Sequence, residues 1–169
     1  ASKPMTSEHT LHTIPPIYDG NPKILILGSF PSVKSREVSF YYGHPQNRFW
    51  RVLAAVLGCA VPSSNEEKTA LLQSHNIALW DIIKSCDIVG SSDSSIKNVV
   101  PNDIGVILSS CGIRQIYSNG KTSEKLFNKY IKDTVGRDTV ALPSTSPANA
   151  SYNLERLTDS WSVIKNNIR

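Results

Sequence analysis

"KILILG" (Lys23 to Gly28) is the stretch that decides the fold. A short unbroken apolar run closed by glycine is the pattern of a strand buried on both faces of a parallel sheet. Downstream, "RFWRVLAAVLG" reads as a helix stopping at Gly58, and "SSNEEKTALLQSH" sets Ser64 and Glu67 at capping-box spacing before a second helix. "IALWDII" (Ile77 to Ile83) is the next strand, and "VPNDIGVILSSCG" a helix with a polar start at Asn102 and a stop at Gly112. "IRQIYS" is a third strand, "GKTSEKLFNKY" places Leu126, Phe127 and Tyr130 at helical spacing, and "TVAL" is a fourth strand. "NLERLTDSWSVIKNNI" closes the chain as an amphipathic helix. This alternation predicts an α/β fold of three layers, α/β/α, around a central four-stranded, mostly parallel sheet with right-handed crossovers. "CDIVGSSDSSIKNVVP" is expected to be one long loop.

With 169 residues, 40% of them hydrophobic, the chain can fill one core and gives no reason to expect two domains. Residues 1–16 read as a Pro-rich lead-in. Ala1 to Pro4 precede the single methionine, Met5, and read as foreign to the native chain. A net charge of +4 and a pI near 9.0 permit an acidic partner such as nucleic acid without requiring one. Cys59, Cys86 and Cys111 are odd in number and widely spaced, which argues against a disulfide framework, a thiolate zinc site or an iron–sulfur cluster. No metal or organic cofactor is expected. Nothing approaches the roughly 20 apolar residues of a membrane span, and the amino terminus lacks a signal-peptide core, so the expected location is intracellular, in the cytoplasm.

In an open parallel sheet, ligands bind beyond the carboxyl ends of the strands. The four segments expected there are "GSFPS…YYGHPQN", "DIIKS", "SNGK" and "PSTSPAN", rich in hydroxyls, amides, glycines and prolines. Each alone is consistent with turn chemistry, but four at one end of one sheet make a polar rim. GxxxxGK[ST], GxGxxG after the first strand, GxSxG and HExxH are all absent, which argues against nucleotide hydrolysis, dinucleotide binding, a serine-hydrolase elbow and a zinc protease.

"ILILGSFPS" followed by "YYGHPQNRFW", with "SNGK" and "LPSTSPAN" downstream, resembles the uracil-DNA glycosylase superfamily, and most nearly its hypoxanthine-DNA glycosylase branch. The likeness runs over nearly the whole chain from Ile17. It implies one glycosylase domain over 17–169, acting as a monomer on DNA with deaminated bases, chiefly hypoxanthine. Uracil or mismatched thymine as substrate, and a non-catalytic lesion-binding module, are the alternative readings. In mismatch-specific relatives the loop after the first strand reads like "GINPG", and its asparagine positions the hydrolytic water. Here Phe30 stands at that place. The resemblance therefore puts the catalytic amide in "HPQN", on Asn47.

Asn47 also suits a helix cap, so two roles meet at one residue. For glycosidic cleavage, a carboxamide is a weak base, yet its C=O can orient water and its NH2 can donate twice. Asn119 is the second catalytic candidate, reading the base edge or sharing the water; it also suits the turn before Gly120. The base-binding set is Gly28, Ser29, Phe30, Tyr42 and His44. Tyr42 takes the place where relatives stack the extruded base, and it could equally face the core. His44 could donate a proton, touch a phosphate or orient its loop, and Asp81 could accept from a purine N–H or cap a turn. By resemblance, "PSTSPAN" grips DNA through Ser144, Thr145, Ser146, Ala148 and Asn149. Lys34, Arg36, Arg48 and Lys121 are candidate phosphate contacts or ordinary surface charges.

Overall fold

A computed structural model describes residues 6–169, so the four residues read as foreign lie outside the described residues. Strand β1 spans Glu8–Leu11, and β2 spans Ile24–Gly28 and is completely buried. Alternate residues of β2 enter different cores, as a two-residue repeat requires. Ile24 and Ile26 pack with Phe49, Val52, Leu53, Leu157 and Trp161, whereas Leu25 and Leu27 pack with Ile107, Phe127 and Ile131. Those partners come from α2 (Phe49–Leu57) and α7 (Leu154–Trp161) on one side. On the other they come from α4 (Gly105–Ser110) and the wide helical turn after α5 (Lys121–Leu126). The sheet between them runs β3-β2-β6-β7, all pairs parallel, with β3 at Ile77–Asp81, β6 at Gln115–Asn119 and β7 at Thr139–Leu142. The expected three-layer α/β/α architecture is the one found.

The helix ends read at Gly58 and Ser64 are found where expected, whereas α4 begins after Asn102 and ends before Gly112. Gly58 ends α2 in the left-handed region at φ 70°. The Ser64 hydroxyl accepts the Glu67 N–H at 3.1 Å to open α3 (Asn65–Ser74), and Asn153 does the same for α7 through the Arg156 N–H. Two short helices lacked a long apolar stripe and went unpredicted: α1 (Val33–Val38) and α6 (Lys132–Val135).

The segment 86–101 is not a loop: β4 (Ile83–Ile88) and β5 (Lys97–Pro101) form an antiparallel pair, and β1 adds to the other edge of β4 to give a sheet of order β1-β4-β5. The predicted strand "IALWDII" likewise breaks in two at Ile82, whose N–H reaches the Gly28 carbonyl at 2.9 Å as the chain leaves the parallel sheet. Asn102, read as a helix start, is buried and donates Nδ2 to the carbonyls of Asp81 and Ile83, bracing that break. Register shifts within β4 and β5 blurred the alternation that marks a strand.

The segment up to Ile17 also carries structure, since β1 pairs over Glu8–Leu11 and the His12 ring lies beside Asp81. A chain starting at Thr13 therefore exposes the β4 edge and leaves a buried carboxylate alone. Urea denaturation is expected to show a loss of about 3 kcal/mol or more, with faster amide exchange over Ser85–Ile88.

Candidate active site

All four predicted rim segments converge on one cleft of about 360 Å³ at the carboxyl ends of the parallel strands. Gly28, Ser29, Phe30 and Tyr42 line it with Asn47, Asp81, Asn119, Lys121, Ser144, Thr145, Ser146 and Ala148. The volume suits a ligand of small-molecule size.

Tyr41 and Tyr42 both border the cleft and both pack on the core beneath it, but they differ in burial. Tyr41 is the core residue, 2% exposed, with its hydroxyl donating to the Pro15 carbonyl at 2.8 Å. Tyr42 lines the cleft, with its ring against Phe49 at 4.1 Å between centroids and 24° between planes. Its backbone sits in the left-handed region at φ 53°, an uncommon conformation for a bulky side chain and one that concentrates at functional sites. Its buried hydroxyl makes no hydrogen bond of good geometry among the described residues, and the Asn119 side chain acts on it only enough to offset part of the rise in its pKa. Burial, and secondarily the Asp81 charge, push the phenol pKa far up, so it stays protonated.

Asp81 ends β3 with a carboxylate that is nearly enclosed, and its Oδ2 pairs with the buried His12 ring at 2.8 Å. It therefore caps no turn. Its other oxygen, Oδ1, lies over Gly28, where a Cβ would collide with it and come within 3.0 Å of the Tyr42 hydroxyl. Only glycine leaves room for a carboxylate on that wall. His12 was not foreseen: it stands 69 residues from Asp81 and carries no motif.

Phe30 takes part in the cleft wall, edge-on to His12 at 6.0 Å and under the Arg36 guanidinium at 5.5 Å. Arg36 also donates to the Gly90 carbonyl, so it holds this wall to the turn that follows β4.

Asn47 accepts two hydrogen bonds on Oδ1, from the Phe49 N–H and from the Thr145 hydroxyl, each at 2.9 Å. Arg48, without a side-chain cap bond, is the N-cap of α2; Asn47 stands one residue before it and satisfies the N–H of the first helical residue while lining the cleft. Asn119 faces Thr145 from β6: its Nδ2 donates to the Thr145 hydroxyl and its Oδ1 accepts the Thr145 N–H, both at 3.1 Å. Gly120 follows at φ 94°, with its N–H on the Leu142 carbonyl, and a Cβ there would stand 3.0 Å from the Ser144 Cβ.

Several expected contacts lie elsewhere. His44 does not line the cleft; its Nδ1 accepts the Gln46 N–H at 3.1 Å, which is the loop-orienting role. Thr145, expected on a phosphate, is 0% exposed. Asn149 is also outside the cleft lining, with its Nδ2 on the Ser144 carbonyl. Arg48 turns inward: its guanidinium donates to the carbonyls of Ser146 at 2.7 Å, Asn149 at 3.1 Å and Tyr152, and its N–H donates to the Thr145 carbonyl. Lys34 lies 3.8 Å from Glu37, whereas Lys121 is exposed at the cleft rim. Ser144, Ser146 and Ala148 remain at the cleft, the first two with their hydroxyls accepting local N–H groups.

The sequence profile of the Uracil DNA glycosylase superfamily matches residues 15–166. The chain belongs to that superfamily. A protein of Methanosarcina barkeri (strain Fusaro) named hypoxanthine DNA glycosylase is 35% identical over 137 residues, 80% of this chain and 85% of its own length. A protein of the same name from Methanosarcina acetivorans is 34% identical over 152 residues, 89% and 94% of the two chains. The solution NMR structure of a candidate uracil DNA glycosylase from Methanosarcina acetivorans superposes with a TM-score of 0.77 at 32% identity, covering 90% of this chain and 94% of that one. Within this glycosylase fold, the described residues contain no helix long and apolar enough to cross a membrane. They also contain no group of three or more His, Cys, Asp or Glu placed to hold a metal ion.

A buried hydroxyl without a partner costs about 1–3 kcal/mol. Tyr42→Phe keeps the ring on Phe49 and removes only that oxygen. Thermal denaturation of the free protein is expected to show unchanged or raised stability, whereas a clear loss would mean that the hydroxyl is already bonded.

Proposed function

We propose that this chain is a monofunctional DNA glycosylase of base excision repair, acting as a monomer on DNA inside the cell, with hypoxanthine as its chief target. The observation that carries this reading is the carboxylate oxygen of Asp81 over Gly28, in a cleft that also offers an aromatic ring. Deamination turns the bare, hydrogen-bond-accepting N1 of adenine into the N1–H of hypoxanthine. A fixed carboxylate accepts from that N–H and repels the adenine lone pair, so the wall tells the damaged base from its parent. The names of the Methanosarcina relatives support the same base.

The base must leave the helix to reach such a cleft. Tyr42, backed by Phe49, supplies the face on which it stacks, and main-chain N–H groups over 28–30 meet its oxygen. Hydrolysis breaks the C1′–N9 bond with the electron pair leaving on the purine, while a water oxygen bonds to C1′. One water proton passes to solvent and the purine anion takes up another. Positive charge on the sugar is eased by the DNA phosphates, and negative charge on the base by donors such as Asn47 and Asn119. Ser144, Ser146 and Lys121, at the rim, serve the phosphate backbone.

Uracil presents a similar N–H and competes as a substrate, but Phe30 occupies the place of the amide on which the best uracil chemistry of relatives depends. Oligonucleotides carrying hypoxanthine, uracil, xanthine or a G·T mismatch separate these readings. Abasic-site formation is expected to be fastest with hypoxanthine, and strand breaks are expected only after alkali. Tight binding without base release would overturn the enzymatic reading. Asp81→Asn is expected to lower single-turnover release of hypoxanthine by about 10- to 100-fold, the loss of one charge-assisted hydrogen bond.

A further inference from the structure

Two backbone N–H groups settle which way the site amides face, because a backbone N–H can only donate. The atom of Asn47 that receives the Phe49 N–H must be Oδ1, and the atom of Asn119 that receives the Thr145 N–H must also be Oδ1. Asn119 therefore turns Nδ2 to the Thr145 hydroxyl. With its oxygen receiving that bond, Thr145 has a single proton left to give, and it gives it to Asn47 Oδ1. No freedom remains in the chain from Asn119 through Thr145 to Asn47. The Asn47 carbonyl receives both of the hydrogen bonds that its lone pairs accommodate, while Nδ2 has no partner among the described residues in a residue that lines the cleft.

We propose that Thr145 is a positioning residue whose hydroxyl locks the Asn47 carboxamide so that Asn47 meets the nucleoside with its NH2 donors and not with its carbonyl. This rests on the glycosylase reading and refines it. A water held on an N–H would have its lone pair engaged and would be a poorer nucleophile, so a donor here suits the departing base. As the C1′–N9 bond breaks, the pair that stays on the purine spreads over N9 and N3, and the Asn47 NH2 supplies hydrogen bonds that strengthen as that charge grows. The orientation of water through the Asn47 carbonyl, which a carboxamide at this place allowed, conflicts with the two bonds already on that oxygen.

Substitution at both ends of the chain tests this. Asn47→Asp keeps an oxygen for the Phe49 N–H at the start of α2, but sets a second oxygen where Nδ2 stands. A water-orienting role predicts that the carboxylate matches or exceeds the amide; the donor role predicts a fall of at least 100-fold in single-turnover release from deoxyinosine DNA. Thr145→Val is expected to lower the same rate by about 10-fold with the Kd for DNA little changed, and Thr145→Ser, which restores the hydroxyl, to recover most of it. Circular dichroism and thermal melts check folding. If Thr145→Val does not fold, the Asn47→Asp and Thr145→Ser rates still decide. Wild-type rate in Asn47→Asp, or equal loss in Thr145→Ser and Thr145→Val, overturns the assignment while leaving the glycosylase intact. A wild-type chain that releases no base overturns both.

Discussion

Arg48 holds the two sides of the cleft together. It stands one residue before α2, yet its guanidinium and N–H reach the carbonyls of Thr145, Ser146, Asn149 and Tyr152 in the segment that leads to α7. Carbonyl oxygens that point together repel one another unless a cation with several donors lies among them, and the planar fork of arginine suits that task. Through this contact the loop after β7 is set against the start of α2. Thr145 is thereby carried to a buried place between Asn47 and Asn119. An interaction of one side chain with four carbonyls thus fixes the shape of the cleft wall.

The opposite wall depends on a different constraint. At the tips of β2 and β3, Gly28 and Asp81 are register partners, and the missing Cβ of the glycine leaves the space that the carboxylate oxygen enters. His12 holds the other oxygen. A nearly buried carboxylate is tolerable when it is paired, and it is a sharp hydrogen-bond acceptor because little water competes for it. The second sheet makes this arrangement permanent: β1, pairing with β4, delivers His12 to the site, and Phe30 fills the angle between His12 and Arg36.

Tyr42 shows how a single residue can carry a local cost for a site. It combines a left-handed backbone, a stacked ring and a buried hydroxyl without a partner. Free folding favours none of the first or the last. Their coincidence at the cleft fits a side chain whose surroundings are completed by a ligand.

The sequence by itself determined the parallel sheet, because an apolar run such as "ILILG" closed by glycine suits a strand between two layers, and it determined the helix ends at Ser64 and Gly58, where local backbone groups are satisfied by neighbours in the chain. It also placed Asn47, Tyr42 and Asn119 at the cleft, since loops after parallel strands converge on one edge. Only tertiary structure decided the addition of β1 to β4 and the pairing of His12 with Asp81, whose partners lie far apart along the chain. The inward turn of Arg48, the burial of Thr145 and the local role of His44 were likewise unreadable, because a polar side chain has the same pattern in sequence whether it meets solvent, a phosphate or its own backbone. Periodicity records which faces are apolar; it does not record which hydrogen-bonding groups from distant segments find one another.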